Sequence, residues 1–447
     1  MHQDWRGNVV TAGDATTLAG VDAFVEGFLA YETRAADVIG AADADAGCAL
    51  ANAYAAFAWL FLESPEGLAR ARPYLARAES AAVCATERER LTVATARAWA
   101  DGDIPRALAL GAHAAEHFPR DLALAKIAQY HCFNLGDAPG MLRIAAGVLP
   151  ANDDLAYAHG MIAFAYEQCH LLADAERAAH DAISRKRKEP WAHHALAHVL
   201  LTQGRNAEGR AFLEDVKDTW TDLNSFMLTH NWWHLSLVMI EQGEAARVLD
   251  HYATRIWGVW KEYSQDQIGA VSLLARLELA GVDVGDRWQD LAEHLAPRVG
   301  EHVQPFLDLH YLYGLARAGR TEADAMLESL RAFARTAPAF VRPAWQEVAL
   351  PVAEALLAHA RGKYAACARV LLPVLPRLAE IGGSHAQRDL FEQIADDALI
   401  RSGSLVAAQG RLEQRRAGNP HSVPTRARLA GVYRALGLPG QAARVSA

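Results

Sequence analysis

Residues 190–204 read PWAHHALAHVLLTQG, and the decision about the fold starts there. With Pro190 as the first residue of a repeat, the small Ala197 falls at its eighth position and Gly204 at the turn that follows the helix. One repeat upstream Ala163 occupies the same small position, 34 residues before Ala197. The turn glycines keep the same step: Gly102 and Gly136 lie 34 residues apart, Gly204 follows after twice that distance, and His170 sits at the skipped midpoint. Gly403 and Gly437 are again 34 apart, whereas Gly243, Gly281, Gly319 and Gly362 follow at looser steps of 39, 38, 38 and 43. Pro119, Pro150 and Pro190 fall where a second helix should end, since proline cannot continue one.

Between these marks the chain is helical in pattern. Segments such as 53-AYAAFAWLF and 342-RPAWQEVALPVAEALLAHAR place apolar residues at i, i+3, i+4 and i+7. Ala, Leu, Arg and Glu, all strong helix formers, dominate. A 34-residue period of two antiparallel helices and a tight turn is the tetratricopeptide repeat. The spacing therefore predicts an all-α, tetratricopeptide-like α-solenoid of antiparallel helix pairs wound into a right-handed superhelix. It is expected as a single domain over 1–447, with atypical longer repeats around 205–403 and a polar cap near Gly437.

The composition sets bounds on function. The chain is 52% hydrophobic and 22% charged, enough to bury a large core and too apolar for a disordered chain. Lys+Arg 44 against Asp+Glu 53 gives a net charge of −9, which argues against the basic footprint that nucleic-acid binding needs. Five scattered cysteines without a CxxC pair exclude a disulfide framework or a thiolate zinc knuckle. The start, Met1-His2-Gln3-Asp4-Trp5-Arg6, lacks signal-peptide order, and no apolar run is long enough to span a bilayer. A cytoplasmic protein in a reducing compartment is expected, with no nucleic acid and no membrane among its partners.

Histidines carry the chemistry. His194 and His198 are four residues apart, as are His230 and His234 in 230-HNWWH. Residues at that spacing stack on one helix face with Cβ atoms ~5–6 Å apart, so each pair can chelate one metal ion. In such arrays the first helix of each repeat lines the concave groove at positions two, five, six, nine and twelve. On that count His194, His198, His230, His234 and His310 all face the groove, joined by Phe306 and Tyr313, with Asp308 beside them. Imidazole suits metal ligation and proton transfer near neutral pH alike. The same rings also serve as polar contacts for a bound peptide, or as partners of a neighbouring carboxylate. Trp232 and Trp233 are expected to split, one into the core and one to the groove lip.

Other features read as structure first. In 382-GGSHAQRDLF, Ser384 and Gln387 fit a capping box, while two glycines before a helix also expose N–H donors that Arg388 could help turn into an anion site. The run Ser184-Arg185-Lys186-Arg187-Lys188-Glu189 falls at a connection between repeats and reads as a solvated loop. Cys169-His170 cannot act as a nucleophile–base pair, because adjacent helical residues point apart. No Gly-x-Ser-x-Gly elbow, P-loop, Gly-x-Gly-x-x-Gly fingerprint or His-Glu-x-x-His helix is present.

The sequence resembles the tetratricopeptide-repeat protein 38 family over most of its length, most clearly from about residue 150 onward. The stretches 191-WAHHALAHV, 230-HNWWHLSL, 281-GVDVGDRWQDL, 306-FLDLHYLYGLARAG and 382-GGSHAQRDLF carry the resemblance. It matches at Trp191, His194, Ala197 and His198, at His230 through His234, at Gly281, Asp286, Arg287 and Trp288, at His310, and at Arg388 and Asp389. Where this chain has His385 the family can carry Asn. The resemblance implies an α-solenoid of cytosolic type and leaves enzyme against scaffold open.

The functional expectation is a repeat protein whose concave, histidine-rich groove holds a peptide segment of a partner protein or a small molecule. Its contacts would be His194, His198, His230, His234, His310, Asp308, Trp232, Tyr313 and Arg388. The alternative is a metal- or histidine-dependent enzyme of hydrolase or lyase type in the same groove. There His194, His198, His230 and His234 would hold a divalent metal such as zinc, and Asp308 would orient one ring. A homodimer is compatible with either.

Overall fold

The computed structural model describes residues 2–446. Twenty-four α-helices run through the described residues, mostly as successive antiparallel pairs, so the chain is all-α as the sequence predicts. None is long and apolar enough to cross a membrane.

The turns explain the pairing. Gly102, Gly136, Gly204, Gly243, Gly281, Gly319, Gly362, Gly403 and Gly437 all have φ between 67° and 86°, the left-handed region that glycine enters without a Cβ clash. Each ends a helix with the same bond: the N–H one residue past the glycine reaches back five residues, as in Asp103 N to Ala98 O at 2.9 Å and Lys363 N to Ala358 O at 2.8 Å. His170, at the skipped midpoint of the period, takes this role at φ 58°, and Leu171 N closes onto Tyr166 O at 2.9 Å.

The chain divides into two compact units, Met1–Leu196 with Asp218–Met227, and Ala197–Lys217 with Leu228–Ala447. The borders fall inside the Pro190–Thr202 and Ser225–Glu241 helices.

In the first unit the helix pairs are regular. Glu87–Ala100 pairs with Ile104–His117, Leu122–Asn134 with Ala138–Val148, and Ala156–Gln168 with Leu172–Arg185. Asp103, Asp121 and Asp137 each accept a backbone N–H of the first turn they precede, capping the next helix. Small residues let neighbours close: a Cβ on Gly111 would lie 2.8 Å from that of Ala128. One element has no periodic signal in the sequence, a two-stranded hairpin pairing His2–Gln3 with Val9–Val10. Its turn is organised by Asp4, whose carboxylate accepts from Arg6 N and Asn8 N, without an Asn-Gly pair. The basic run 184–189 is tied down: Lys186 bonds Tyr157, Arg187 pairs with Asp218, Lys188 with Glu32, and Glu189 is fully buried.

In the second unit the longer steps come from non-α turns. The second helix after Gly243 is reduced to Val248–His251 and a π turn, Tyr252–Ile256. A π segment, Ala344–Ala349, precedes Leu350–Ala360. A 3-10 stretch, Leu372–Ile381, carries Pro373 and Pro376, which cannot donate the helical hydrogen bond. Pro305–Arg317 with Glu322–Thr336 and His385–Arg401 with Leu405–Gly418 keep the regular pairing.

Candidate metal centre

Pro190–Thr202 is one uninterrupted helix, so its 3.6-residue turn stacks His194 over His198. Ser225–Glu241 stacks His230 over His234 in the same way. One ligand nitrogen from each of the four lies within 4.8 Å of all the others. The Nε2 atoms of His230 and His234 are 3.2 Å apart, and the rings of His198 and His234 are 4.5 Å apart between centroids. Relative exposures of 2, 0, 8 and 1% for His194, His198, His230 and His234 place the set out of solvent.

Aromatic rings hold these imidazoles. Trp191 stacks on His194 at 4.4 Å and Phe164 touches it at 4.9 Å. Trp233 stacks on His230 at 5.2 Å with 9° between planes, and meets His234 edge-on at 4.9 Å. The Arg276 guanidinium lies 5.7 Å from the Trp233 ring, anchored by Asp389 at 3.1 Å and by Ala386 O at 2.6 Å. Burial lowers the pKa of Arg276, and Asp389 opposes that shift. Burial, helped by His198, pushes His230 down to about 3, so this ring is uncharged at neutral pH with a lone pair to offer.

The donor set fits a transition metal. Two imidazole nitrogens on one tetrahedral zinc at ~2.05 Å would be roughly 3.3 Å apart, close to the separation found for His230 and His234.

The remaining expected groove residues lie elsewhere or play other parts. Buried His310 bonds Phe306 O through Nδ1 at 2.8 Å and packs on Phe306 and Phe391. Its pKa is pushed down to about 4 by burial, with Arg276 lowering it further, which puts it near the Arg276 side of the second unit. Asp308 orients a ring, and that ring belongs to His302, at 2.6 Å from its Nδ1. Tyr313 bonds His359 Nδ1 at 3.1 Å, and His359 Nε2 meets Asp397 at 3.0 Å. Trp232, half-buried, packs edge-on against His251 at 5.0 Å and under Arg255; the tryptophan stacked on His230 is Trp233.

The 382–391 stretch resolves toward capping. Ser384 Oγ accepts from Gln387 N, and Gln387 Oε1 accepts from Ser384 N at 2.9 Å. Arg388 bonds the carbonyls of Gly382 and Gly383. Gly383 has φ +77°, and a Cβ there would stand 2.6 Å from the Phe306 ring, so the turn presses onto the ring that packs on His310.

Sequence reasoning passed over His302 and Arg276. A lone arginine inside the apolar run 271-VSLLARLEL was the available signal for Arg276. His302 carries no periodic signal: it lies in a loop, and of its two partners Ser329 is 27 residues away on the second helix after it.

No protein-family model matches the chain. Among solved structures it is similar to the human IFIT1 dimer with m7Gppp-AAAA, at 12% identity over 98% of this chain and 90% of that one, with a TM-score of 0.38. The human IFIT1 dimer with PPP-AAAA compares at 12% identity over 97% and 90%, TM-score 0.38. The P58(IPK) TPR domain compares at 14% identity over 79% of this chain and 99% of that one, TM-score 0.23. On its own helix pairs, and on the nine left-handed glycines and His170 that close them, the chain is a tetratricopeptide-like helical-repeat protein carrying a buried cluster of four histidines.

Proposed function

We propose that this protein binds a divalent transition metal through His194, His198, His230 and His234, zinc being the first candidate. The observation that carries the reading is the convergence of four imidazole nitrogens within 4.8 Å, all of them buried. Imidazole is a common ligand of such metals, and four buried rings that each bring one nitrogen to the same point can supply a complete tetrahedral set. Direct contacts to a peptide would call for side chains reachable from solvent, and the exposures of these four argue for an enclosed ligand instead.

Four uncharged imidazoles leave the charge of a bound dication unneutralised, so such a centre favours an anionic or carbonyl-bearing small molecule. That is the ligand class expected at any coordination position the histidines leave open, and it fits the hydrolase or lyase alternative better than a scaffold. The likeness to the tetratricopeptide-repeat protein 38 family is compatible with this reading, since two of its stretches supply the four histidines.

Elemental analysis of protein purified without a histidine tag tests the proposal. About one equivalent of metal per chain is expected, lost in the His198→Ala/His234→Ala double variant. Cobalt(II) added to chelator-treated protein should give the visible absorption of a low-symmetry, nitrogen-ligated ion. Protein that carries no metal and takes up neither zinc nor cobalt would overturn it.

A further inference from the structure

Apart from the four-histidine cluster, the second unit holds a serine, a histidine and a carboxylate in relay. His302 Nδ1 is 2.6 Å from Asp308 Oδ2, and His302 Nε2 is 2.7 Å from Ser329 Oγ. His302 lies in the loop ahead of the Pro305–Arg317 helix, and Ser329 in the middle of Glu322–Thr336.

The geometry fixes each role. An ionised carboxylate only accepts, so Asp308 holds the ring proton on Nδ1 and leaves Nε2 to accept from the Ser329 hydroxyl. The ring cannot swing away: it stacks on Phe333 at 4.8 Å and 18°, and meets Trp345 edge-on at 6.0 Å. His302 itself has φ 48°, a left-handed conformation that is unfavourable for a residue with a Cβ and that the surrounding packing must enforce. Asp308 is 1% exposed, and its Oδ1 has no hydrogen-bond partner among the described residues. Burial pushes its carboxyl up to about 6, with His302 pulling the other way, so at pH 7 it is the ionised acceptor this relay needs. Ser329 is half-buried, and beside its Oγ stands Gly300, whose missing Cβ would be 3.6 Å away. The next residue past His302, Val303, is 42% exposed, and Glu301 on the other side of His302 pairs with Arg298 at 3.1 Å, so the approach offers an apolar side chain beside a carboxylate that is already neutralised.

We propose that Ser329 is a nucleophile activated by His302, with Asp308 as its positioning residue, and that the set accepts acyl groups from small uncharged esters. The proposal does not rest on the metal reading. In the step, Ser329 Oγ bonds to the ester carbonyl carbon while its proton passes to His302 Nε2. The C–O bond to the alcohol then breaks, and the alkoxide leaves with that proton. Water repeats the sequence on the acyl-serine, giving the carboxylic acid and free Ser329. The set sits on a helix instead of a strand–helix elbow, which is why no Gly-x-Ser-x-Gly motif announces it.

An alkyl fluorophosphonate is the probe, applied to the full chain with metal present and after chelation. Oγ displaces fluoride at phosphorus, and the mass of the alkyl phosphonyl group is expected on the tryptic peptide 321–331, whose single serine is Ser329. Ser329→Ala should remove the label. His302→Gln should slow labelling at least about a hundredfold, and added imidazole should partly restore it in His302→Ala. Asp308→Asn should slow labelling at a temperature well below the melting point of the variant. Wild-type protein that takes no label on this peptide, or His302→Gln protein labelled at the wild-type rate, overturns the proposal. Loss of label only on chelation would assign the reactivity to the metal centre, and would overturn it too.

Discussion

His230 and His234 bring their Nε2 atoms to 3.2 Å, although helix geometry alone fixes only that their Cβ atoms share a face. Neighbouring Trp233, stacked flat on His230 and edge-on to His234, holds both rings in that orientation. A metal that binds this folded arrangement and not the unfolded chain should therefore stabilise it. At a free zinc concentration 100 times its dissociation constant, the gain is about 2.7 kcal/mol. Thermal melts with and without zinc should show it in the wild type and lose it in His198→Ala/His234→Ala.

Acid should weaken the fold well above the pH at which most carboxylates titrate. His131, His230 and His310 are kept uncharged by burial, at about 3, 3 and 4, each below the value near 6.5 that an unfolded histidine has. Their contribution is complete above about pH 6.5 and falls as pH drops toward 4, because the unfolded chain then binds protons the folded one refuses. Asp308 and Glu189, pushed up to about 6 and about 7 by burial, work in the opposite sense over the same window and offset roughly two of the three protons. The net slope from these groups is about 1.4 kcal/mol per pH unit. Urea unfolding at several pH values between 4.5 and 7.5, with chelator present, measures it; stability independent of pH there would refute the assignment.

Arg276→Met should be among the most damaging single changes in the second unit. It strips Asp389 and the Ala386 carbonyl of their buried partner and takes the cation from beside Trp233. The expected loss is about 3–5 kcal/mol, with Arg415, which still holds Asp389 at 2.6 Å, limiting the damage. Denaturant midpoints check it. Arg276→Lys should recover only part, since one ammonium cannot reproduce the guanidinium's separate bonds to Asp389 and to the carbonyl.

Two glycines with the same backbone conformation should differ sharply when replaced by alanine. Gly319 has φ +70° and open space around a would-be Cβ, so only the left-handed strain of about 1 kcal/mol applies. Gly383, at φ +77°, adds a clash with the Phe306 ring at 2.6 Å, and its alanine variant should lose about 2–5 kcal/mol in total. If metal binding by the four histidines survives in Gly383→Ala protein that is still folded, the Phe306–His310 region is structural support only.

The turn glycines made the repeat legible because a helix ending in a left-handed residue is a local event, written in one residue and the bond it closes. His170 shows how far this goes: its place in the 34-residue period marks it as a turn despite its side chain. The longer steps of 38 to 43 announced irregularity, but not its form. The π and 3-10 segments answer to packing and to Pro373 and Pro376 together.

The pairing of His194 with His198, and of His230 with His234, follows from i, i+4 spacing within a helix, and the sequence determines that much by itself. Only the tertiary structure decided that the two pairs meet, that Trp233 and not Trp232 stacks on His230, and that Asp308 turns to His302. The physical reason is range. Backbone hydrogen bonds repeat every few residues and leave a period that can be read along the chain, whereas side chains on different helices are brought together by burial and steric fit, which leave no period.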